Sequence, residues 1–332
     1  MKATLLVLAA LALPACIHTW ETREGPTDEQ KLELYSTTAT YLYESDDLYR
    51  AQEQAVKALE IDPENLVMRR MIGWIRLRLG SNEDLIVAER FFRDLLRDKD
   101  ENSATILGLS IACERLGTAY DRSARATEDG RRTPNAGREV EADAAALRET
   151  AATYWQEAAE RLEGLLAEGE GSTDAMNALQ RIYAEQGRLE ESLAWSERLL
   201  ERAEEELEIR RRMLTSTNLS QREEKVFREN VSKAQELSIQ THLFAATLLF
   251  KLAREKEALG HLDDVVEESP NMAQVYGMRA QLRHRLGLFE LAIEDIDRFL
   301  SLSEEPFEHP DIRRAFDLRD ACARELVAQS RG

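Results

Sequence analysis

The stretch Val275–Pro306, VYGMRAQLRHRLGLFELAIEDIDRFLSLSEEP, decides the fold. It reads as two short amphipathic helices hinged at Leu286-Gly287-Leu288. Small Ala280 lies midway along the first helix and small Ala292 lies early in the second. Small side chains at a crossing let two antiparallel helices approach to about 8–10 Å, and Gly287 permits the tight turn between them. The stretch therefore predicts a helical hairpin that keeps an apolar face for a neighbour.

Weaker copies of this pattern recur along most of the chain, at a spacing of roughly 34 residues. Each copy has small residues where its two helices cross and larger apolar residues at helical spacing. The copies contain Tyr35, Ala39, Ala51, Ala55 and Ala58; Ile72, Gly73, Gly80, Ala88, Phe92 and Leu95; Met176, Leu179, Tyr183, Gly187 and Leu199; and Ala258, Leu262 and Val265. Pro63 and Pro270 end two of them, because proline cannot continue a helix. Several copies in register indicate a repeat protein.

The pattern resembles the tetratricopeptide repeat (TPR), and the resemblance covers nearly the whole chain. It implies an all-α fold, a right-handed superhelical solenoid of about six helical hairpins over residues 29–312. Residues 313–332 would form a C-terminal capping helix, since the ends of a solenoid must be covered.

Two segments interrupt the period. Residues 118–150 are expected to form an insertion between a first helix and its partner. Residues 199–237 are expected to form a long, charged helical hairpin, whose second helix starts at a capping box of Ser220 and Glu223. This hairpin is either a pair of solvated helix extensions or a prong that binds a partner.

The first residues have the proportions of a signal peptide. Met1-Lys2 precedes Ala3–Leu13, an apolar or small run broken only by Thr4. Eleven helical residues reach about 16 Å, roughly half of the hydrocarbon core of a bilayer, so this run is too short to span a membrane. The run ends in Leu13-Pro14-Ala15-Cys16, which resembles a bacterial lipobox.

That resemblance implies a lipoprotein of the bacterial envelope. Residues 1–15 would be removed, Cys16 would carry acyl chains, including palmitate, and residues 16–28 would form a lipidated tether. Because Ile17 stands where an aspartate would favour retention at the inner membrane, the resemblance implies the outer membrane. The alternative is an ordinary secretory signal with an incidental cysteine.

Charge and motifs exclude several functions. The net charge of −19 argues against binding nucleic acid or an anionic lipid surface through bulk electrostatics. The sequence contains no phosphate-binding loop, zinc-protease motif or nucleophile elbow. None of the five histidines lies three or four residues from another, so no helical face offers two metal ligands. We therefore predict no enzymatic activity, no cofactor and no metal site.

The resemblance also indicates where a partner would bind. In the TPR family the first helices of the hairpins line a concave groove. The corresponding residues here are Tyr43, Arg70, Trp74, Arg78, Arg115, Asn177, Arg181, Lys251, Gln281, His284 and Arg285. This basic and aromatic selection would suit an acidic or C-terminal peptide segment. The alternative is that Trp74 is partly core and that the arginines pair with neighbouring glutamates.

The function implied is a non-catalytic protein–protein interaction scaffold whose partners are proteins of the envelope. Two alternatives stay open at this stage. One is a receptor for a small molecule or glycan that uses the same groove around Trp74 and Tyr43. The other is an accessory subunit that positions an envelope hydrolase.

Overall fold

The computed structural model describes residues 25–129, 143–169, 171–216 and 219–330, which form thirteen α-helices and no β-strand. The helices are α1 Asp28–Glu44, α2 Leu48–Ile61, α3 Leu66–Leu79, α4 Asn82–Arg97, α5 Ser103–Glu128, α6 Ala144–Ala167, α7 Thr173–Glu185, α8 Leu189–Ser216, α9 Gln221–Lys251, α10 Glu255–Glu268, α11 Ala273–Arg285, α12 Phe289–Leu302 and α13 Pro310–Gln329. The predicted all-α fold is confirmed. The expected signal peptide, the lipidated Cys16 and residues 130–142 of the expected insertion lie outside the described residues.

The chain divides into two compact units, Met1–Met68 and Arg69–Gly332. In the first unit α1 packs against α2, and the alanines at their contact are fully buried: Ala39, Ala51, Ala55 and Ala58. A capping box starts α1, because the Thr27 hydroxyl accepts from the Gln30 amide at 3.2 Å and the Gln30 side chain accepts from the Thr27 amide at 3.0 Å.

In the second unit, helices that are consecutive in the chain pack against one another. They form the hairpins α3/α4, α5/α6, α7/α8, α9/α10 and α11/α12, and α13 packs on α12. The stretch quoted at the outset forms the last of these hairpins, in which Ala280 and Ala292 are both fully buried. Together with α1/α2, the described residues contain the six hairpins that the repeat pattern predicts.

Four of the turns inside the hairpins share one backbone geometry. At the predicted hinge Gly287 has a φ of +74°, and its amide donates to the His284 carbonyl at 3.0 Å while the Leu288 amide donates to the Arg283 carbonyl at 2.8 Å. This pair of bonds is a Schellman motif, which satisfies carbonyls that the helix end leaves free. The motif recurs with Gly187, and also with the non-glycine residues Asp46 and Ala253.

Phe92 on α4 is fully buried between two glycines of neighbouring helices. A Cβ added at Gly73 on α3 would lie 2.7 Å from Phe92 Cζ, and one at Gly108 on α5 would lie closer still. Gly117 on α5 gives the same clearance to the ring of Trp155 on α6. Because the interior is close-packed, these glycines set how near the helices lie.

Four of the described helices are longer than the others: α5, α6, α8 and α9. Residues 118–128 continue α5, residues 199–216 belong to α8 and residues 221–237 belong to α9; α8 and α9 have 28 and 31 residues. The capping box predicted at Ser220 and Glu223 is confirmed at the start of α9. None of the described helices, long as some are, combines the length and the apolar character needed to cross a bilayer.

Gly108→Ala should destabilise the protein by about 1–3 kcal/mol, because the added methyl group overpacks the Phe92 ring. Gly164→Ala is the matched control, since a Cβ at this exposed helical position meets nothing within 4 Å. Alanine favours a helix over glycine by roughly 0.5–1 kcal/mol, so the control should be neutral or more stable than the parent. Urea denaturation followed by circular dichroism measures both, and equal midpoints would contradict the assigned packing.

Candidate functional site

All eleven side chains predicted to line a groove lie on the first helices of the hairpins. They are Tyr43 on α1; Arg70, Trp74 and Arg78 on α3; Arg115 on α5; Asn177 and Arg181 on α7; Lys251 on α9; and Gln281, His284 and Arg285 on α11. Tyr43 belongs to the first unit and is half-buried. The other ten belong to the second unit, where their contacts decide which could reach a partner.

Arg181 is committed to an ion pair inside the protein. Its guanidinium makes two hydrogen bonds to Glu114 on α5, Nε to Oε1 at 2.7 Å and Nη2 to Oε2 at 2.8 Å. The Glu114 side chain is only 8% exposed. Burial alone would lower the pKa of Arg181, but the hydrogen bonds and negative charge of Glu114 outweigh it and raise the pKa. The pair therefore joins the first helices of two successive hairpins.

Arg70 is held in the same way. Its Nη1 lies 2.9 Å from each carboxylate oxygen of Asp100, which follows α4 and is buried. The Thr105 hydroxyl donates to Asp100 Oδ2 at 2.6 Å. Burial would raise the pKa of Asp100, but the bonds from Thr105 and Arg70 outweigh it and lower the pKa. Arg70 thus joins α3 to the beginning of the next hairpin.

Two further arginines contact neighbouring elements while staying exposed. Arg115 Nη1 donates to the Leu77 carbonyl near the end of α3 at 2.7 Å. Arg285 Nη2 pairs with Glu255 Oε1 at 2.6 Å, and its guanidinium lies 4.5 Å from the centre of the Phe250 ring. Since both side chains remain exposed, they can still meet a ligand.

Three side chains of the set make contacts within their own hairpins: Trp74, His284 and Asn177. Trp74 is half-buried and packs edge-on against Phe92, with ring centres 5.8 Å apart. His284 packs edge-on against Phe289 at 5.5 Å. The Asn177 side chain accepts a hydrogen bond from Gln180 at 2.7 Å. The interpretation of Trp74 as partly core therefore has direct structural support.

The exposed members of the set are basic or neutral: Arg78, Arg115, Lys251, Gln281 and Arg285. Phe250, beside Lys251 and under Arg285, is 36% exposed and was missed by the sequence analysis. It ends the run 243–250, which is apolar except for Thr247, and an aromatic residue in such a run is ordinarily assigned to the core. The candidate site is thus a set of exposed cations on first helices, with one exposed aromatic ring among them.

Comparison with known families identifies one hairpin directly. Residues 273–306 match the family model described as tetratricopeptide repeat. The match contains α11 and α12 and overlaps the stretch on which the predicted resemblance rests. This hairpin is a tetratricopeptide repeat, as predicted. A comparison with curated proteins finds no match.

Solved structures with similar folds are TPR proteins with low sequence identity. A pilus biogenesis factor, PilW, has a TM-score of 0.49 and 13% identity, with 86% of this chain and 99% of that chain covered. A thermophilic TPR protein from Thermus thermophilus has a TM-score of 0.44 and 15% identity, covering 77% and 98%. YrrB, described as a TPR protein with an unusual peptide-binding site, has a TM-score of 0.36 and 13% identity, covering 85% and 90%.

Arg181→Met should destabilise the protein by about 3 kcal/mol, because it leaves the buried Glu114 carboxylate without its cation. This is the low end of the range for breaking a buried pair, since Arg181 itself is partly exposed and water screens it. Arg122→Met removes an exposed arginine from α5 and should change stability by no more than about 0.5 kcal/mol. Equal unfolding midpoints for the two variants would show that the ion pair does not hold the hairpins together.

Proposed function

We propose that this protein is a non-catalytic scaffold that holds partner proteins on the first helices of its hairpins. The observation that carries the proposal is the repeated helical hairpin, with a tetratricopeptide repeat at residues 273–306. Hairpins of this kind bury one face on their neighbours and leave extended surfaces for recognition.

The partner is a protein segment rich in acidic side chains. The chain has a net charge of −19, yet the exposed charged members of the candidate set are cations: Arg78, Arg115, Lys251 and Arg285. Arginine pairs with carboxylates through two parallel hydrogen bonds, which adds geometric selectivity to charge attraction. An acidic segment would therefore be guided to these helices and repelled by most of the remaining surface.

The scaffold works while anchored to the outer membrane of a bacterial envelope through lipidated Cys16. The sequence Leu13-Pro14-Ala15-Cys16 after an apolar run of signal-peptide length supports this part of the proposal. One acyl chain binds a membrane only marginally, so stable anchoring needs the several chains that a lipoprotein cysteine carries. The partners would then be proteins of the envelope.

Of the two alternatives, neither is favoured by a specific contact. A receptor for a small molecule or glycan would use the Trp74 ring, but that ring is half-buried against Phe92. An accessory subunit of a hydrolase is a special case of the scaffold. Capture of a hydrolase as the partner would identify this case.

Charge reversal of Arg78→Glu with Arg115→Glu should remove partners from the protein without unfolding it, because both side chains are exposed. The measurement is affinity capture from a detergent-solubilised envelope, compared with the parent. Partners that bind through these cations should be lost from the variant, and their affinity for the parent should fall as salt rises.

The matched control is Arg90→Glu with Lys256→Glu, which makes the same change of net charge on exposed positions of second helices. This control should keep the partners. Loss of the same partners from both double variants would show that only net charge matters. Unchanged capture by the first-helix variant at every salt concentration would mean that recognition lies elsewhere, with the long hairpin of α8 and α9 as the next surface to test.

Cys16→Ser should prevent acylation, so that the protein no longer incorporates palmitate and no longer sediments with membranes after a high-salt wash. Thr19→Ser, three residues further on, is the control and should behave like the parent. Membrane partitioning of Cys16→Ser would rule out the lipid anchor. A mature N-terminus found away from Cys16 would count equally against it.

A further inference from the structure

Two histidines from different helices face each other in the fifth hairpin. His242 on α9 and His261 on α10 are 19 residues apart in the chain, and their Nδ1 atoms lie 2.9 Å apart. His242 is 5% exposed and His261 is half-buried. Spacing along one helix could not reveal this pair, because each helix contributes a single histidine.

Asp264 adds a third donor on the same side of α10, three residues after His261. Its Oδ2 lies 3.7 Å from His242 Nδ1, and one donor atom from each of the three residues lies within 4.8 Å of the others. Nitrogen and oxygen ligands lie about 2.0–2.2 Å from Zn²⁺, so two ligands of one ion lie roughly 3–4 Å apart. Two of the separations, 2.9 Å between the two Nδ1 atoms and 3.7 Å between His242 Nδ1 and Asp264 Oδ2, lie close to that range.

The surroundings favour a cation. A cleft of about 510 Å³ contains His242 and Asp264, and its charged lining has four carboxylates against one guanidinium: Glu204, Asp264, Glu267 and Glu268 against Arg211. Glu268 Oε2 is buried and has no hydrogen-bond partner among the described residues. Glu204 Oε1 lies 4.0 Å from His242 Nε2, on the other edge of the ring. A carboxylate at that nitrogen orients a metal-bound imidazole.

The surroundings of both imidazoles favour the neutral form. Burial lowers the pKa of His242, and the nearby His261 lowers it further, although Asp264 acts in the opposite sense. Burial also lowers the pKa of His261, against the charges of Asp264, Glu197 and Glu257. Neutral imidazole is the form that ligates metals. Without a metal, the short Nδ1–Nδ1 distance fits a hydrogen bond, in which the N–H group of one neutral ring donates to the ring nitrogen of the other.

The geometry points to a binding site for a divalent transition-metal ion, with Zn²⁺ as the best match, ligated by His242, His261 and Asp264. Two imidazoles and one carboxylate are a ligand set that suits Zn²⁺ and leaves a fourth tetrahedral position open to water. The bound ion would join α9 to α10 beside the long hairpin of α8 and α9, because Glu204 belongs to α8.

The test is a calorimetric titration of ZnCl₂ into the full chain, prepared without a polyhistidine tag and stripped with EDTA. Saturable binding of one ion is expected, together with a rise in the thermal midpoint that EDTA reverses, since a ligand of the folded state stabilises it. His261→Gln and Asp264→Asn should each weaken this binding by at least about tenfold, since even loss of an outer-shell contact has an effect of that order. Circular dichroism would verify that both variants are folded.

Two controls make the test specific. His284→Gln removes a half-buried histidine from α11, and Glu267→Gln removes a carboxylate from the same cleft without touching the three ligands. His284→Gln should bind Zn²⁺ like the parent, and Glu267→Gln should weaken binding far less than the ligand variants do, because it removes only a nearby charge. Absence of saturable binding would overturn the proposal and leave a hydrogen bond between two histidines. Equal loss in Glu267→Gln would also overturn it, because the acidic cleft would then attract cations without a defined ligand set.

Discussion

This structure depends on how closely neighbouring helices approach each other where they cross. A hairpin of two short helices cannot bury its apolar face alone, so each must pack against the next. Phe92 shows how narrow the allowed spacing is, because its ring fills the space between Gly73 and Gly108 and leaves no room for a methyl group on either. The small residues are therefore as informative as the large ones, since they fix the distance at which the large ones meet.

That constraint explains why the fold could be predicted from the sequence. Small residues recur in register at the helix crossings. Glycines such as Gly187 and Gly287 mark the turn between the two helices of a hairpin. The turns at Asp46 and Ala253 lack this sequence signal, because non-glycine residues adopt the left-handed backbone conformation there. The same Schellman hydrogen bonds form there, so the backbone geometry is retained although its usual sequence signal is lost.

The candidate site was predictable only in part, for a different physical reason. Helical periodicity places Arg70 and Arg181 on first helices, but it cannot show which carboxylates they meet. Arg181 pairs with Glu114, 67 residues away, and Arg70 pairs with Asp100, 30 residues away. A contact between distant segments depends on how hairpins stack, so a groove predicted residue by residue includes side chains that hold the stack together. The histidine pair escaped prediction for the same reason.

These internal pairs change what the charge of the chain means for recognition. Arginines bound to buried carboxylates are neutralised locally and contribute little to the field outside the protein. If the proposed function holds, the attraction felt by an acidic partner would come mainly from the exposed cations of the candidate set, of which Arg285 also pairs with Glu255, in an acidic surface that repels most anions. Few contacts of this kind favour fast, salt-sensitive association over high affinity. Affinity would then have to come from buried contact area, for which the exposed edge of Phe250 beneath Arg285 is suited, because an aromatic ring offers apolar area at little conformational cost.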